Sequence, residues 1–388
     1  MSMKLLPFEY ATRNLGRSPV RLMLTVFGSG LVVLLIMIAG SFMVGMQTTL
    51  AVSGSPDNII LLGSGSVESV ERSEVSMDAA SIVAASINGF RTRAGVEAVS
   101  PEIHIQMPLD VDGEDRLMLI RGVRPEAFLV HDQVIVVDGI APRNGRNEIL
   151  VGKLAAHTLG FPNPSDAIGS SLILDKDVYT VSGVLAADGG IIESEIWTSL
   201  TDLQITSQRD TLSCVVVAID TAKASDLAMF AASRIDLELA SISEDEYFSA
   251  LSKFYKPIEM MVVLTCIMIA IGGMLGGFNS TYAAFASRVR EVGTLQTLGY
   301  KRSSIAFSLV QESILSASVG AIIACVIAIF VLDGFSVRFS MGTFTLTMTA
   351  GIIALGIGSG LLLGIIGAIT PGLRCLRLPI PEALRASE

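Results

Sequence analysis

The sequence predicts a membrane protein with an α-helical membrane domain of four transmembrane helices and a mixed α/β extracytoplasmic domain between spans 1 and 2. Two observations predict this class. Of the 388 residues, 51% are hydrophobic and only 16% are charged. The charges are also gathered in blocks, which leaves four windows long enough to cross a hydrocarbon core of about 30 Å, for which about 20 apolar residues are needed. We therefore assign transmembrane helices to residues 22–47, 259–287, 303–332 and 346–373.

Short basic segments beside these windows predict their orientation. An N-terminal amphipathic arm (1–21), a loop (288–302) and a C-terminal tail (374–388) each carry clustered Lys and Arg. Because Lys and Arg near the ends of spans favour the cytoplasmic side, all three segments, and with them both termini, are expected there. The first window is interpreted as a retained helix, since it is about twice as long as the apolar region of a signal peptide, which has about 7–15 residues.

The long segment 48–258 and the outer loop 333–345 then face outward. Segment 48–258 carries 15 Lys and Arg but twice as many Asp and Glu. This acidity opposes a nucleic-acid partner, because binding to phosphates needs a basic surface. Cys214 is the only cysteine of the segment, so no intrachain disulfide is expected within it.

The outer segment alternates strand and helix patterns and ends in a stalk. A helix is predicted at 77–95, and a hairpin at 102–123 is predicted to turn at Asp112-Gly113. The other predicted elements are a strand at 57–63, a strand followed by a helix at 147–160, a hairpin at 170–186 and a βαβ-like unit at 212–243. A stalk helix then starts near Ser243 and runs toward the second span, and Pro257 is expected to kink or interrupt it.

No pattern in the outer segment predicts catalysis or metal binding. Its three histidines lack the spacing of metal ligands, so neither a metal site nor a catalytic residue is assigned; they are His104, His131 and His157. The run "DVDGED" (110–115) lacks the rest of a calcium-binding loop and is interpreted as a hairpin turn. Trp197 and Phe161 are assigned to core packing.

Residues 286–302, "ASRVREVGTLQTLGYKR", leave one apolar window and lead into the next. Val292, Leu295 and Leu298 recur at helical spacing, and Gly299 offers a helix end. Two interpretations fit this short helix. It lies in the lipid interface, or it docks a cytoplasmic partner through Leu, Tyr and Arg side chains. The pattern alone does not choose between them.

Glycines and one carboxylate are distinctive within the apolar windows. Glycines four residues apart form ridges that let helices approach closely, and packing within the chain is expected for most of them: Gly272, Gly273, Gly276, Gly277, Gly356, Gly360 and Gly364. Glu312 is an ionisable residue inside the third window. We favour a pair with Arg288 or Lys301, or a position at the interface, and the alternative is proton coupling.

Three segments resemble the permeases of the macrolide-exporter, lipoprotein-release and cell-division group, the MacB/FtsX-type ABC transporters. They are "FEYATRNLGRSPVRLMLTVFG" (8–28), "SRVREVGTLQTLGYKRSSI" (287–305) and "PGLRCLRLPIPEALRAS" (371–387). The order of the spans and the single large outer domain agree as well, so the resemblance covers nearly the whole chain. Gln296 stands where the group often has Arg or Lys, and Cys375 where it usually has Ala.

The resemblance implies that the 288–302 loop docks an ATPase subunit. The residues that match the family's loop are Arg288, Arg290, Glu291, Gly293, Leu295, Leu298 and Gly299, and Tyr300, Lys301 and Arg302 complete the predicted contact. The sequence has no phosphate loop, since Gly152-Lys153 lacks the upstream Gly and the following Ser or Thr. We therefore expect no enzymatic site and no cofactor on this chain, with ATP and Mg bound by a separate ATPase. The family also implies a second permease copy in a homodimer.

The expected function is that of a permease subunit in the bacterial inner membrane. The family relays ATPase motion through the loop and the stalk helices to a periplasmic domain, and so exports or extrudes envelope substrates, lipids or lipoproteins. Further implied partners are a periplasmic adaptor protein, an outer-membrane channel and membrane lipid. The alternative is a non-transporting signalling protein that passes the state of the ATPase to periplasmic cell-wall hydrolases. The size of the outer domain favours export.

Overall fold

The computed structural model describes residues 8–16, 19–111, 114–286, 288–339 and 342–376. The chain divides into two compact units. Unit 1 comprises Met1–Val44, Pro257–Phe335 and Leu346–Glu388, and unit 2 comprises Gly45–Lys256 and Ser336–Thr345.

The helices are α1 (Phe8–Gly16), α2 (Pro19–Ser53), α3 (Ala79–Ser86), α4 (Ala127–Val130), α5 (Lys153–Thr158), α6 (Leu200–Ser207), α7 (Ala224–Ser233), α8 (Glu244–Ala286), α9 (Val289–Thr297), α10 (Arg302–Ile327) and α11 (Ala350–Leu376). The strands are β1 (Asn58–Gly63), β2 (Thr92–Arg93), β3 (Val96–Glu97), β4 (Val99–Val111), β5 (Glu114–Val123), β6 (Ile135–Gly139), β7 (Glu148–Gly152), β8 (Ser171–Leu174), β9 (Asp177–Ala186), β10 (Ile196–Ser199), β11 (Cys214–Ala218), β12 (Leu239–Ser243), β13 (Ser336–Phe339) and β14 (Gly342–Thr345).

Unit 1 is helical. In the part of the chain that the structure describes, four helices are long and apolar enough to cross a membrane: α2, α8, α10 and α11. Each of them overlaps one predicted window, but α2 extends to Ser53, α8 begins already at Glu244 and α11 begins only at Ala350, while a π-helical turn at Ala328–Leu332 follows α10. Pro257 lies inside α8 and does not interrupt it. The interruption that the sequence allowed at this proline is therefore wrong.

Unit 2 is built on a ten-stranded sheet with the order β12-β1-β11-β4-β5-β10-β7-β9-β6, to which β8 adds by pairing with β4 and β9. The neighbours β5 and β10, and also β7 and β9, are parallel, and the other pairs are antiparallel. The first and last strands of this sheet along the chain, β1 and β12, pair directly, with Ile60 opposite Ile242. The chain therefore enters and leaves this sheet on neighbouring strands.

Hydrophobic side chains cover both faces of the sheet at its centre. Successive residues of a strand point to opposite faces. Ile149 and Val151 of β7 belong to the large core that also holds residues of α3, α5, α6 and α7. Leu150, between them, belongs to a second core around Trp197. Polar groups in the middle of this sheet are consequently shielded from solvent.

The predicted helix at 77–95 is wrong in length, because α3 ends at Ser86. Gly89 adopts a φ of +102° and approaches the turn at Asp220–Ala222, where its carbonyl accepts hydrogen bonds from three consecutive N–H groups. A Cβ at Gly89 would lie 2.6 Å from Thr221 Oγ1. This tertiary contact redirects the chain into the bridge between Phe90 and Ile219, which no local helix pattern reveals.

Other predicted elements of unit 2 are present. The hairpin is formed by β4 and β5, while its turn at Asp112-Gly113 lies outside the described residues. In the βαβ-like unit, β11 and β12 do not touch but flank β1 on both sides. The predicted outer loop 333–345 contains an unpredicted hairpin, β13 and β14, with Val337 opposite Phe344.

Candidate functional site

The loop predicted to dock an ATPase contains a short, well-terminated helix. At the end of α9, Gly299 adopts a φ of +91°, and its N–H donates to the carbonyl of Gln296 at 3.0 Å. The N–H of Tyr300 donates to the carbonyl of Leu295 at 3.1 Å. This double pattern is the Schellman motif, in which a left-handed glycine ends the helix and two flanking apolar residues touch.

The apolar face of α9 packs on its neighbours in unit 1. Val292 is buried together with Ile305 and Leu309 of α10, and the half-buried residues Leu295, Tyr300 and Tyr10 pack against them. Leu298, by contrast, is 71% exposed. The predicted contact residues therefore separate into an inward group and an exposed group, the latter consisting of Arg290, Leu298, Gly299, Lys301 and Arg302.

The charged residue of the third apolar window is paired. Glu312 of α10 is 5% exposed, and its Oε2 lies 2.9 Å from Nη1 of Arg288. Arg288 is one of the two partners that the sequence offered for Glu312. The same arginine belongs to the predicted ATPase contact, but its half-buried side chain is directed to α10. This ion pair therefore links the start of α9 to α10.

The glycine ridges have different environments. On α11, a Cβ at Gly356, Gly360 or Gly364 would lie 2.6 Å from Met37 Sδ, 2.5 Å from Ala321 Cβ and 2.9 Å from Ile314 Cα, respectively. These three glycines therefore bring α11 against α2 and α10. On α8, only Gly273 has such a neighbour, Val32, whereas Gly272, Gly276 and Gly277 have no described atom within 4 Å of an added Cβ.

Unit 2 contains a buried charged cluster that the sequence analysis missed. At its centre, Arg121 of β5 forms a two-pronged pair with Glu195, in which Nε and Nη2 each lie 2.7 Å from a carboxylate oxygen. Nη1 of Arg121 lies 3.0 Å from Oε2 of Glu102 on β4. Trp197 Nε1 donates to Glu195 at 2.9 Å, and the guanidinium stands over the Trp197 ring. The cluster is thus held by packing against Trp197 as well as by ion pairs.

The cluster extends from the sheet to the first residue of α8. His131 Nε2 lies 2.9 Å from Oε1 of Glu102, and His131 Nδ1 lies 3.6 Å from Oε1 of Glu244. Oε2 of Glu244 accepts hydrogen bonds from Asn58 Nδ2 at 2.9 Å and from the N–H of Ser55 at 3.2 Å. Glu244 therefore connects the segment after α2, the strand β1 and the start of α8.

The neighbouring charges control the ionisation of this cluster. Burial by itself raises the pKa of Glu102, but His131 and Arg121 outweigh it and hold the pKa well below its ordinary value. Burial also opposes ionisation of Glu195, and Arg121 again outweighs it, so the pKa of Glu195 is lowered. For His131, burial lowers the pKa, but the carboxylates of Glu102 and Glu244 overcome this and raise it. The folded state thus favours ionised Glu102 and Glu195 beside a protonated imidazole, whereas burial outweighs His131 at Glu244 and raises the pKa of that carboxyl.

Two of the three histidines that looked scattered in the sequence meet in this cluster. His104 Nε2 lies 3.0 Å from Oε2 of Glu102 and 3.8 Å from Sγ of Cys214. Oε2 of Glu102 is already shared with Arg121, so we interpret these residues as a hydrogen-bonded network and assign no metal ion to them. Burial raises the pKa of the Cys214 thiol well above its ordinary value. His157 lies apart, exposed on α5.

One signal for the cluster was available in the sequence. A hairpin turning at Asp112-Gly113 places His104 opposite Arg121, and the structure has this register. Because Glu102 and His104 are two residues apart on β4, they share one face of the strand. The contributions of Glu195, His131 and Glu244 come from distant segments, and no spacing in the sequence indicates them.

Comparison with known proteins gives two family matches. Residues 22–235 match the MacB-like periplasmic core domain, and residues 263–380 match the FtsX-like permease C-terminal domain. The Campylobacter jejuni macrolide export ATP-binding/permease protein MacB is 22% identical, over 58% of this chain and 37% of the relative. The protein of the same name from Nitrobacter winogradskyi is 24% identical, over 62% of this chain and 39% of the relative. The chain thus spans about two fifths of the length of these relatives.

A solved structure is also similar. The periplasmic region of MacB from Actinobacillus actinomycetemcomitans matches with a TM-score of 0.40 at 11% sequence identity. The match covers 51% of this chain and 94% of that structure.

We predict that Gly360→Val lowers the thermal stability of unit 1. The added side chain would meet Ala321, and overpacking of this kind costs about 1–3 kcal/mol. Gly358→Val is the matched control, because a Cβ at Gly358 has no described atom within 4 Å. The melting temperature of the purified protein in detergent measures both. Equal melting temperatures for the two variants would contradict the proposed packing of α11.

We predict that Arg121→Met strongly destabilises unit 2, because it leaves Glu102 and Glu195 buried with an uncompensated charge. Removing one partner of a buried ion pair costs about 3–5 kcal/mol. Arg143→Met is the control, since Arg143 pairs with Glu148 at the surface and its loss is expected to change little. Urea unfolding followed by the fluorescence of Trp197, the single tryptophan, checks this prediction. It fails if both variants unfold at the wild-type urea concentration.

Proposed function

The chain belongs to the MacB/FtsX-type ABC transporter permeases, and from this premise we propose that it relays the motion of an ATPase to an outer α/β domain to export envelope substrates. Permeases of this family work with an ABC ATPase partner. The 388 residues contain no phosphate loop, so in our proposal ATP and Mg are bound by a partner ATPase. The chain itself then acts without an enzymatic site.

In the proposed topology, α2, α8, α10 and α11 cross the inner membrane once each, and unit 2 is periplasmic. This arrangement rests on the length and apolar character of the four helices. Arg288 and Arg290 at the start of α9, and Lys301 and Arg302 after its end, support a cytoplasmic position of this helix, because Lys and Arg near the ends of spans favour that side. Both termini then lie on the cytoplasmic side, and the hairpin of β13 and β14 lies outside.

One observation carries the proposal that α9 docks the ATPase: its apolar face is already occupied. An interfacial helix lays its apolar residues in the lipid. Here Val292 is buried against α10, and Leu295 and Tyr300 pack on the same cluster. What remains exposed is a small surface of Leu298, Arg290, Lys301 and Arg302. This geometry favours docking over the interfacial interpretation.

The attachment of α9 to α10 also supports a mechanical role. The contact of Val292 with Ile305 and Leu309, together with the pair of Arg288 and Glu312, attaches α9 to α10. A displacement of α9 therefore moves α10 with it, whereas a flexible loop would absorb part of the displacement. Differential binding of the ATP-bound partner would then bias the conformation of the permease.

For cargo, we propose envelope substrates, lipids or lipoproteins, with a periplasmic adaptor protein and an outer-membrane channel as further partners. The match of residues 22–235 to the MacB-like periplasmic core domain supports export over the signalling alternative. A second permease copy completes the proposed complex. The glycines of α8 that face open space, Gly272, Gly276 and Gly277, suit a close approach by another helix.

We predict that Leu298→Asp abolishes co-purification of the ATPase from detergent-solubilised membranes. Leu298 is the better choice than Leu295, because Leu295 also packs against α10 and its substitution would disturb unit 1 itself. Ile235→Asp is the control, since this equally apolar residue is 82% exposed in unit 2. Retention of the ATPase by Leu298→Asp, with wild-type thermal stability, would show that the docking assignment is wrong.

A further inference from the structure

His131 occupies an unusual position in unit 2. The residue is fully buried and directly follows α4. Its Nε2 reaches Glu102 of β4, whereas its Nδ1 has no hydrogen-bond partner among the described residues and faces Glu244, the first residue of α8. The Nη1 of Arg121 lies 3.3 Å from its Nε2, and the ring of Trp197 meets it edge-on, with the ring centroids 5.8 Å apart.

The charges around His131 do not balance without a bound proton. The carboxylates of Glu102, Glu195 and Glu244 meet within the cluster, and Arg121 is the only permanent cation that the structure describes in contact with them. Cys214, with its raised pKa, and the neutral Trp197 supply no positive charge. A buried carboxylate that no cation neutralises is unfavourable, and burial accordingly raises the pKa of Glu244, although Asn58 and Ser55 donate hydrogen bonds to it.

His131 is placed better than His104 to supply that charge. The imidazole of His131 lies between two carboxylates, those of Glu102 and Glu244, which belong to different elements. Among the carboxylates that the structure describes, the imidazole of His104 pairs with that of Glu102, at the same oxygen that Arg121 contacts. A proton on Nδ1 of His131 would point toward Glu244, the group that otherwise has no described cation beside it.

A small cavity adjoins the imidazole. It has a volume of about 50 Å³ and is lined by His104, Arg121, His131, Glu195, Glu244 and Tyr247, among others. A polar cavity needs about 10–15 Å³ to hold one water molecule. The cavity therefore has room for water beside His131.

We propose that His131 is a proton-binding site that ties the start of α8 to the sheet of unit 2. In its protonated form the imidazolium bridges Glu102 of β4 and Glu244 of α8. When the proton leaves, Glu244 loses its positive neighbour, and the first turns of α8 are released from the sheet. This proposal concerns unit 2 alone and does not depend on the transport role.

The sign of the pH dependence follows from the carboxylates. Burial and the charge of Arg121 lower the pKa of His131, but the carboxylates of Glu102 and Glu244 outweigh them and raise it above its ordinary value of about 6.5. A group with a raised pKa in the folded state contributes stability that is fully present below its ordinary pKa, and that stability is lost as the pH rises through the folded-state pKa. The attachment of the start of α8 to the sheet is therefore stable at mildly acidic pH and weakens at alkaline pH.

Trp197 gives a direct test of where the proton binds. It is the single tryptophan of the chain, and a protonated imidazole in contact with an indole quenches its fluorescence. In a titration of the full chain in detergent from about pH 5.5 to about pH 9.5, across the range in which histidines titrate, we expect the emission to rise with a midpoint above about 6.5. His131→Gln removes this transition, and His157→Gln, an exposed histidine on α5, keeps it.

Amide hydrogen exchange tests the release of α8. Protection of residues 244–256, corrected for the intrinsic rate, is expected to fall as the pH rises, by about tenfold for each unit by which the folded-state pKa of His131 exceeds its ordinary value. In His131→Gln the protection is low at both ends of the pH range, and in His157→Gln it follows the wild type.

The proposal is overturned if wild-type protection of residues 244–256 is independent of pH, or if the fluorescence transition persists in His131→Gln. Should His131→Gln fail to fold, Glu244→Gln replaces it. That variant keeps an oxygen for Asn58 and Ser55 but removes one carboxylate from His131. The fluorescence midpoint is then expected to fall, and an unchanged midpoint would equally overturn the proposal.

Discussion

The constraint on which this structure depends is that an α/β domain inserted between two helices must return the chain to its starting point. Unit 2 meets this constraint by pairing β1 with β12, the first and last strands of its segment Gly45–Lys256. The carboxylate of Glu244 completes the closure, because it accepts hydrogen bonds from Ser55 and Asn58 on the incoming chain. At Gly54 a Cβ would lie only 2.6 Å from Asp245 Cα, so the incoming and outgoing backbones are in contact. The remaining strands extend from this closed junction.

Two attachments matter for the proposed function: that of Glu244 to the sheet of unit 2, and that of α9 to α10. They follow one another along the chain. Glu244, tied to the sheet by His131 and β1, is the first residue of α8, a helix of 43 residues. The proposed ATPase contact on α9 begins three residues after that helix ends, and Val292 fixes α9 to α10. In the proposed function, α8 carries the displacement as a continuous helix, which a flexible linker would not do. The buried ion pairs suit this purpose, since breaking them singly is costly.

The elements that the sequence predicted well have local causes. The four apolar helices follow from the uncharged windows, the β4–β5 hairpin from the strand patterns on either side of Asp112-Gly113, and the end of α9 from Gly299 and its apolar neighbours. The helix at 77–95 was wrong because Gly89 is held by a contact with residues 220–222, a cause that lies far away in the sequence. The charged cluster was missed for the same reason. Only the pairing of His104 with Arg121 was visible locally, whereas Glu195, His131 and Glu244 meet it through the tertiary fold.

The central claim is that the state of the ATPase reaches unit 2 through α8. Its most direct test is amide hydrogen exchange of residues 244–256 in the reconstituted complex of permease and ATPase, with and without a non-hydrolysable ATP analogue and Mg. The account predicts a several-fold change of exchange in this segment on nucleotide binding, and no change when the same ATPase is mixed with the Leu298→Asp permease, which is expected not to bind it. Identical exchange in both nucleotide states, with the ATPase bound to the wild-type chain, would contradict it.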